Sequence, residues 1–227
     1  MKLKTLLAAT VAALALTSTA QADDIQWGGT ATLASEYVFR GAAQSDSDPA
    51  VQASFEGTNG MFYAGVWGSN VTSNHNGASS EFDIYAGFTP EAWGWNWDLG
   101  AIYYWYPNNN GAAAGADMDF VEIHAGANRD FGPANFGLHV FYSPEFSGET
   151  GDAFYTEASL SGDVNEMLTL SGAVGHQTID QAQDYTNWNL GATVHIEGFD
   201  VDLRYHDNDE TNTYGDSRGV IMVSRSF

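Results

Sequence analysis

FDVDLRYH, residues 199–206, alternates without a break: Phe199, Val201, Leu203 and Tyr205 are apolar, while Asp200, Asp202, Arg204 and His206 are polar or charged. Successive side chains on a β-strand point to opposite faces, so this octapeptide has one greasy face and one ionic face. A soluble protein would pack the greasy face into a core. A barrel crossing a bilayer would turn it toward lipid and keep the ionic face inside. The rest of the chain decides between them.

The same period recurs throughout. Trp188, Leu190, Ala192, Val194 and Ile196 oppose Asn189, Gly191, Thr193 and His195. Leu168, Leu170 and Val174 oppose Thr169, Ser171, Ala173 and Gly175, and Phe136, Leu138, Val140 and Tyr142 oppose Gly137, His139 and Phe141. Phe82, Ile84, Ala86 and Phe88 oppose Asp83, Tyr85 and Gly87. Helical periodicity is nearly absent after residue 22. Twelve strands are expected, near 26–40, 49–57, 60–70, 80–88, 95–106, 118–129, 134–143, 152–162, 167–176, 187–196, 199–207 and 218–227.

The connections between them alternate in length. GAAQSDSD, VTSNHNGAS, PNNNGAAAGAD, PEFSGETGD, QTIDQAQDYT and DNDETNTYGDS are long; TNG, TPEAWG, FGP, DVNEM and EG are mostly shorter. An up-and-down barrel in an outer membrane has long outer loops and tight periplasmic turns, and six long with five short connections suit twelve strands with both ends on the periplasmic side. A soluble sandwich has no reason to sort its loops this way. Hydrocarbon cannot satisfy backbone donors and acceptors, so β-structure in a bilayer must close. The expected fold is therefore all-β: a transmembrane antiparallel up-and-down barrel of twelve strands, apolar outside and polar within.

The N-terminus agrees. Lys2 and Lys4 precede an apolar run, Leu6–Leu16, and an A-x-A site ending at Ala22, the layout of a secretory signal peptide. Residues 1–22 are expected to be cleaved and 23–227 to form the barrel in the bacterial outer membrane. Both lysines lie in the leader, which leaves five arginines against 29 acids. So acidic a chain is a poor ligand for nucleic acid and attracts cations. It has no cysteine, hence no disulfide framework and no thiolate metal site.

Aromatics near strand ends, among them Trp95, Trp97, Tyr103, Trp105, Tyr142, Trp188 and Phe199, suit the girdles of such a barrel. The chain ends in VIMVSRSF. A terminal Phe227 on the last strand is a signal for barrel-assembly machinery. Arg225 stands two before it, where an apolar residue is usual, and its long side chain can snorkel to the headgroups.

The stretch SEYVFRGAAQSDSDPAVQASFEGTNGMFYAGVWGSNV, residues 35–71, resembles the signature region of the TorF-like porin family, proteobacterial outer-membrane proteins formerly known only as a conserved group of unknown function. The matching pieces are Ser35, Tyr37, Phe39-Arg40-Gly41, Gln44-Ser45, Pro49-Ala50, Gln52 and FYAGVWGSN; Ala43 stands where Ser is usual. The resemblance implies an outer-membrane barrel of porin type and no particular solute.

Alternation turns Glu36, Arg40, Glu56, Asp83, Asp98, Glu122, His124, His139, Glu157, His195, Asp200, Asp202, Arg204 and His206 inward. Of these, Glu36, Arg40, Asp83, Asp98, Glu122, His124, Glu157, Asp200, Asp202 and Arg204 are the candidate pore-lining residues. Carboxylates in a narrow tube concentrate cations and repel anions. Arg40 and Arg204 are expected to pair with acids as struts, or else to form a constriction for a carboxylate or phosphate. Tyr63 and Trp67 share the inward face, as ring platforms for a solute or as filling near the rim. No loop is long enough to argue for one folded into the bore.

Asp207 and Asp209 have calcium-loop spacing, but Asn212 and Arg218 stand where an EF-hand needs Gly and Glu. Loose bridging of divalent cations to lipopolysaccharide is the better reading of the acidic loops. The histidines are scattered singly, and His176, on the lipid-facing register, has no outward Ser beside it, so neither catalytic residues nor cofactors are expected. The expected function is passive diffusion of small hydrophilic solutes through a weakly cation-preferring channel. The alternative is a structural or surface-binding barrel with a plugged lumen.

Overall fold

The computed structural model describes residues 24–109, 116–210 and 216–227. The expected signal peptide and the tips of two long connections, including Asn212 of the calcium-like run, lie outside the described residues.

Twelve long strands form the wall, and three two-residue strands accompany them. The wall runs through β1 (Gln26–Ala34), β4 (Ala50–Asn59), β5 (Phe62–His75), β6 (Ala78–Phe88), β8 (Trp95–Trp105) and β9 (Phe120–Phe131). It continues through β10 (Ala134–Ser143), β11 (Ala153–Asn165), β12 (Leu168–Ile179), β13 (Tyr185–Ile196), β14 (Phe199–Asn208) and β15 (Arg218–Ser226). Each pairs antiparallel with the next, and β1 pairs with β15, so the sheet closes. The seam ends in a reciprocal backbone pair, Gly29 N–H to Phe227 O and Phe227 N–H to Gly29 O, both 3.0 Å. The short strands are β2 (Val38–Phe39), β3 (Ala42–Ala43) and β7 (Glu91–Ala92).

Period two sets the two faces. Across the β13–β14 ladder Leu190 is registered with Tyr205 and Ala192 with Leu203 on one face, while Gly191 meets Arg204 and Thr193 meets Asp202 on the other. Leu190 is 63% exposed and Leu203 53%, whereas Asp202 is only 8% exposed. The greasy face is therefore the outer wall. Aromatic pairs gather toward both ends of it: Trp27 stacks on Phe55 at 5.2 Å near the short turns, and Phe82–Trp105 and Trp188–Tyr205 lie near the long connections. Arg225, on that outer face, lies 5.0 Å over the Phe199 ring, which accounts for its place beside the terminus.

The strand boundaries match the sequence expectation closely, with two corrections. The first strand stops at Ala34 rather than continuing to residue 40; residues 35–49 leave the wall and turn inward, although no connection had the length to suggest it. The connection expected over 71–79 is mostly strand, because β5 runs to His75 and β6 starts at Ala78. Asn76-Gly77, with φ of 51° and 93°, makes the tight turn that this dipeptide favours. Glu197-Gly198 turns the chain the same way at the opposite end, with φ of 50° and 82°.

A charge placed at mid-height on the outer wall loses its solvation. Leu203→Arg is expected to lower barrel stability by about 2–4 kcal/mol, as at a bilayer midplane. Urea titration of folded protein in lipid vesicles, followed by tryptophan fluorescence, measures it. An unchanged midpoint would mean that this face is not in lipid.

Candidate functional site

Residues 35–49, SEYVFRGAAQSDSDP, carry the most unusual geometry in the chain. They form a small hairpin inside the barrel: Val38 pairs with Ala43 and Phe39 with Ala42, leaving Arg40-Gly41 as a two-residue turn. Both turn residues have positive φ, 49° and 82°, as a mirror-image hairpin turn requires. Glycine accepts this freely, and here it must also be small, since a Cβ at Gly41 would lie 2.7 Å from Asn187 Cβ. Arginine accepts it at a cost on the order of 1–3 kcal/mol, so the surroundings must hold it there.

They do so through a dense set of contacts. The Arg40 guanidinium donates from Nη1 and Nη2 to the two Glu122 carboxylate oxygens, both at 2.8 Å, and from Nη1 to Gln177 Oε1 at 3.0 Å. The rings of Tyr155, Phe39 and Phe141 lie 4.2, 4.6 and 4.8 Å from its central carbon. Glu122 is fixed in turn by the Tyr104 hydroxyl, which donates at 3.0 Å, and Gln177 is fully buried and donates to the carbonyls of Phe154 and Thr178. The Arg40 and Glu122 side chains are 6% and 2% exposed. A planar cation thus sits in a dry, bidentate, ring-walled pocket, the geometry that suits guanidinium and not ammonium.

The rest of the segment is also tied to the wall. Arg218 donates to Glu36 at 2.7 Å, and the same Glu36 oxygen accepts the Ser47 backbone N–H. The Tyr37 hydroxyl donates to Glu81 at 3.3 Å, and its ring packs on Trp67. Phe39 meets Tyr104 edge-on, and Asn208 donates to the Gly41 carbonyl at 2.8 Å. Fully buried Ser45 closes the base, accepting from Tyr37 N–H and donating to the Asp48 carbonyl. The segment therefore touches the wall from β5 around to β15 and spans the lumen in the half nearer the long connections.

The expected inward residues fall into three places. Glu36, Arg40 and Glu122 meet in and around the hairpin; Glu36 and Arg40 lie on the inward segment and not on the wall strand that alternation gave them. Asp83, half-buried, is registered opposite Trp67 on the neighbouring strand, and Glu157 accepts from the Tyr155 hydroxyl at 2.9 Å. Arg204 is a strut within the wall: it bonds both Asp202 oxygens at 3.0 and 3.1 Å, Asn189 at 2.6 Å and Ser171 at 2.8 Å. Gly191 leaves the room for it, since a Cβ there would lie 2.7 Å from the guanidinium carbon.

Toward the short turns the inward side chains are more exposed and acidic. Tyr63 donates to Asp98 at 2.7 Å, with His124 at 3.4 Å from the same carboxylate. His195 bridges Asp200 at 2.7 Å and Thr169 at 3.1 Å, and Thr169 donates to Asp163. The Asp98, His195 and Asp200 side chains are 38%, 42% and 49% exposed. His176 faces outward, as expected, and is bonded to Thr186 at 3.1 Å. Among the described residues no group of three or more His, Asp or Glu is placed to hold a metal ion.

Sequence reading overlooked Gln177, Tyr104 and Tyr155. Tyr104 and Tyr155 lie at inward positions of expected strands but are aromatic, and a search for charged groups passes over them; Gln177 was read into the connection that follows residue 176, whereas its strand runs on to Ile179.

Solved structures share the architecture. The KdgM porin in complex with disordered oligogalacturonate aligns over 88% of this chain and 99% of its own, with a TM-score of 0.63 and 6% identity. The NanC porin aligns over 89% and 99%, with a TM-score of 0.58 and 10% identity. An outer-membrane channel from Pseudomonas putida F1 aligns over 88% and 95%, at 0.55 and 12%. At these identities the likeness is one of fold: a closed twelve-stranded antiparallel barrel. No curated protein sequence matches the chain. Residues 20–226 match a family described as bacterial proteins of unknown function (Gcw_chp), and the chain belongs to that family.

Proposed function

We propose that the protein is a bacterial outer-membrane channel for passive diffusion of small hydrophilic cations and neutral solutes, narrowed by the inward hairpin. The observation that carries this reading is the charge balance of the lumen. Each lumen arginine is neutralised by an acid: Arg40 by Glu122, Arg204 by Asp202 and Arg218 by Glu36. Glu56, Asp98, Glu157 and Asp200 remain in excess, and the more exposed half holds Asp98 and Asp200. An anion such as the oligogalacturonate of KdgM would meet repulsion here.

The remaining parts of the reading follow from the same orientation. Residues 1–22 would direct export, the long connections would face outward and meet lipopolysaccharide, and Phe227 would present the last strand to the assembly machinery. The resemblance of residues 35–71 to the TorF-like porins supports the porin class. The first part of that stretch, residues 35–49, forms the inward segment. No part of this scheme calls for catalysis or a cofactor.

One observation favours a second reading, a structural or surface-binding barrel with a closed lumen: the hairpin reaches across the bore to nearly every wall strand. Planar-bilayer recording separates the two. Conductance is expected, with cation selectivity, and Asp98→Asn with Asp200→Asn should reduce the reversal potential in a roughly tenfold KCl gradient by about half. Replacing Val38–Ala43 by a short Gly-Ser link should raise unit conductance by about twofold or more, because the hairpin is what narrows the bore. Silence of the wild-type protein at all voltages, with conductance only after the hairpin is replaced, would establish the closed barrel.

A further inference from the structure

The Arg40 pocket is built for a guanidinium, but its occupant does not belong to the wall. Glu122, Gln177, Tyr155, Phe141 and Tyr104 all come from wall strands, and they would converge on this point without Arg40. Arg40 comes from the tip of a hairpin that forms a sheet of its own, separate from the wall. It enters in a backbone conformation that an arginine rarely adopts. The receptor side is thus carried by the wall ladders, and its ligand side is a strained finger.

We propose that this pocket is a recognition site for guanidinium-bearing solutes, occupied in cis by Arg40, and that such a solute enters the bore by exchanging for it. The exchange rests on the channel reading; the recognition does not. The chemistry selects the class. Two parallel N–H···O bonds to Glu122, a third to Gln177 and contacts with the Phe141 and Tyr155 rings of the wall fit a flat, forked cation. A compact ammonium matches the charge and can sit over a ring, but it cannot fork onto both carboxylate oxygens while meeting the amide. An anion is excluded by Glu122, and the surplus of lumen acids brings cations to the site. A solute that replaces Arg40 also releases the turn from its left-handed strain, which offsets part of the lost contacts.

Two measurements test the two parts. In calorimetry of detergent-solubilised Arg40→Ala, N-methylguanidinium is expected to bind in the millimolar range, at least about tenfold more tightly than methylammonium. Adding Glu122→Gln should abolish that difference. Where Arg40→Ala does not fold, Arg40→Gly takes its place, since glycine suits the φ of 49°. Equal binding of both cations, or binding unaffected by Glu122→Gln, would overturn the recognition.

In proteoliposomes of the wild-type protein, agmatine should enter faster than putrescine, a divalent cation of similar length without the guanidinium, and Glu122→Gln should erase the preference. Equal entry overturns the exchange. Entry of neither overturns the channel reading and the exchange with it, while the calorimetry still decides the recognition.

Discussion

Everything in this molecule follows from the demand that each backbone N–H and C=O in hydrocarbon find a partner within the protein. Strands meet that demand only when the sheet closes. Here the closing pair is β1 with β15, registered from Thr30–Ser226 to Ala34–Met222 and completed by the two bonds between Gly29 and Phe227. Once the ring is shut, the pleat leaves each side chain one of two places. Leu33 and Val223 lie on the lipid side of the seam, and the buried Ala34 lies on the lumen side. The chain thus turns many of its large apolar residues outward, while its interior joins an aromatic cluster around Tyr37, Tyr104, Tyr106 and Phe120 to buried polar groups that include Glu36, Glu81, Glu122, Gln177, Asn187 and Asp202.

Such an interior is stable only if its charges are paired. Removing a carboxylate and a guanidinium from water costs several kcal/mol each, and one contact does not offset it. The Arg40–Glu122 pair is therefore embedded: both carboxylate oxygens accept from the guanidinium, Tyr104 donates to one of them, Gln177 accepts from Arg40, and three rings cover the cation. Arg204 repeats the pattern with Asp202, Asn189 and Ser171. The two differ in origin. Arg204 and its partners are wall residues locked by ladder register, whereas Arg40 arrives from a segment that no ladder positions. The first stiffens the tube. The second fixes where a hairpin ends, a role in which a desolvated pair specifies an arrangement more than it adds stability.

Alternation made the barrel legible, because period two is a direct consequence of one lipid face and one aqueous face. It placed Leu203, Leu190 and Val174 outside and Asp202, Glu122 and Arg204 inside. It misread residues 35–40 because Tyr37, Val38 and Phe39 favour strand and prolong the strand signal after the chain has left the wall, and a local signal cannot register that departure. It also took VTSNHNGAS for an open loop although Asn76-Gly77 marks a tight turn within it. The site was legible only in halves. Arg40 and Glu122 both read as inward, but they stand 82 positions apart, and no local pattern reports which inward charges meet. Tyr104 and Tyr155 were invisible for a chemical reason, since the pocket needs flat rings as much as it needs a charge, and Gln177 because its strand outlasts the expected end at residue 176.

The separation between hairpin and wall has a thermodynamic meaning. A wall strand cannot leave without breaking ladders on both sides, so its stability is that of the whole barrel. The hairpin's own ladder is only Val38–Ala43 and Phe39–Ala42, and its links outward are mainly side-chain contacts, with a backbone bond from Thr72 N–H to the Gln44 carbonyl at its base. Its release requires the Arg40, Glu36, Tyr37 and Gly41 contacts to give way, and none of the twelve wall pairings. Local opening energies can lie far below global ones when few shared bonds couple a segment to the rest. This chain therefore joins a ladder-locked tube to an inward segment held mainly by side chains, and the most buried ion pair between them is a carboxylate holding a guanidinium.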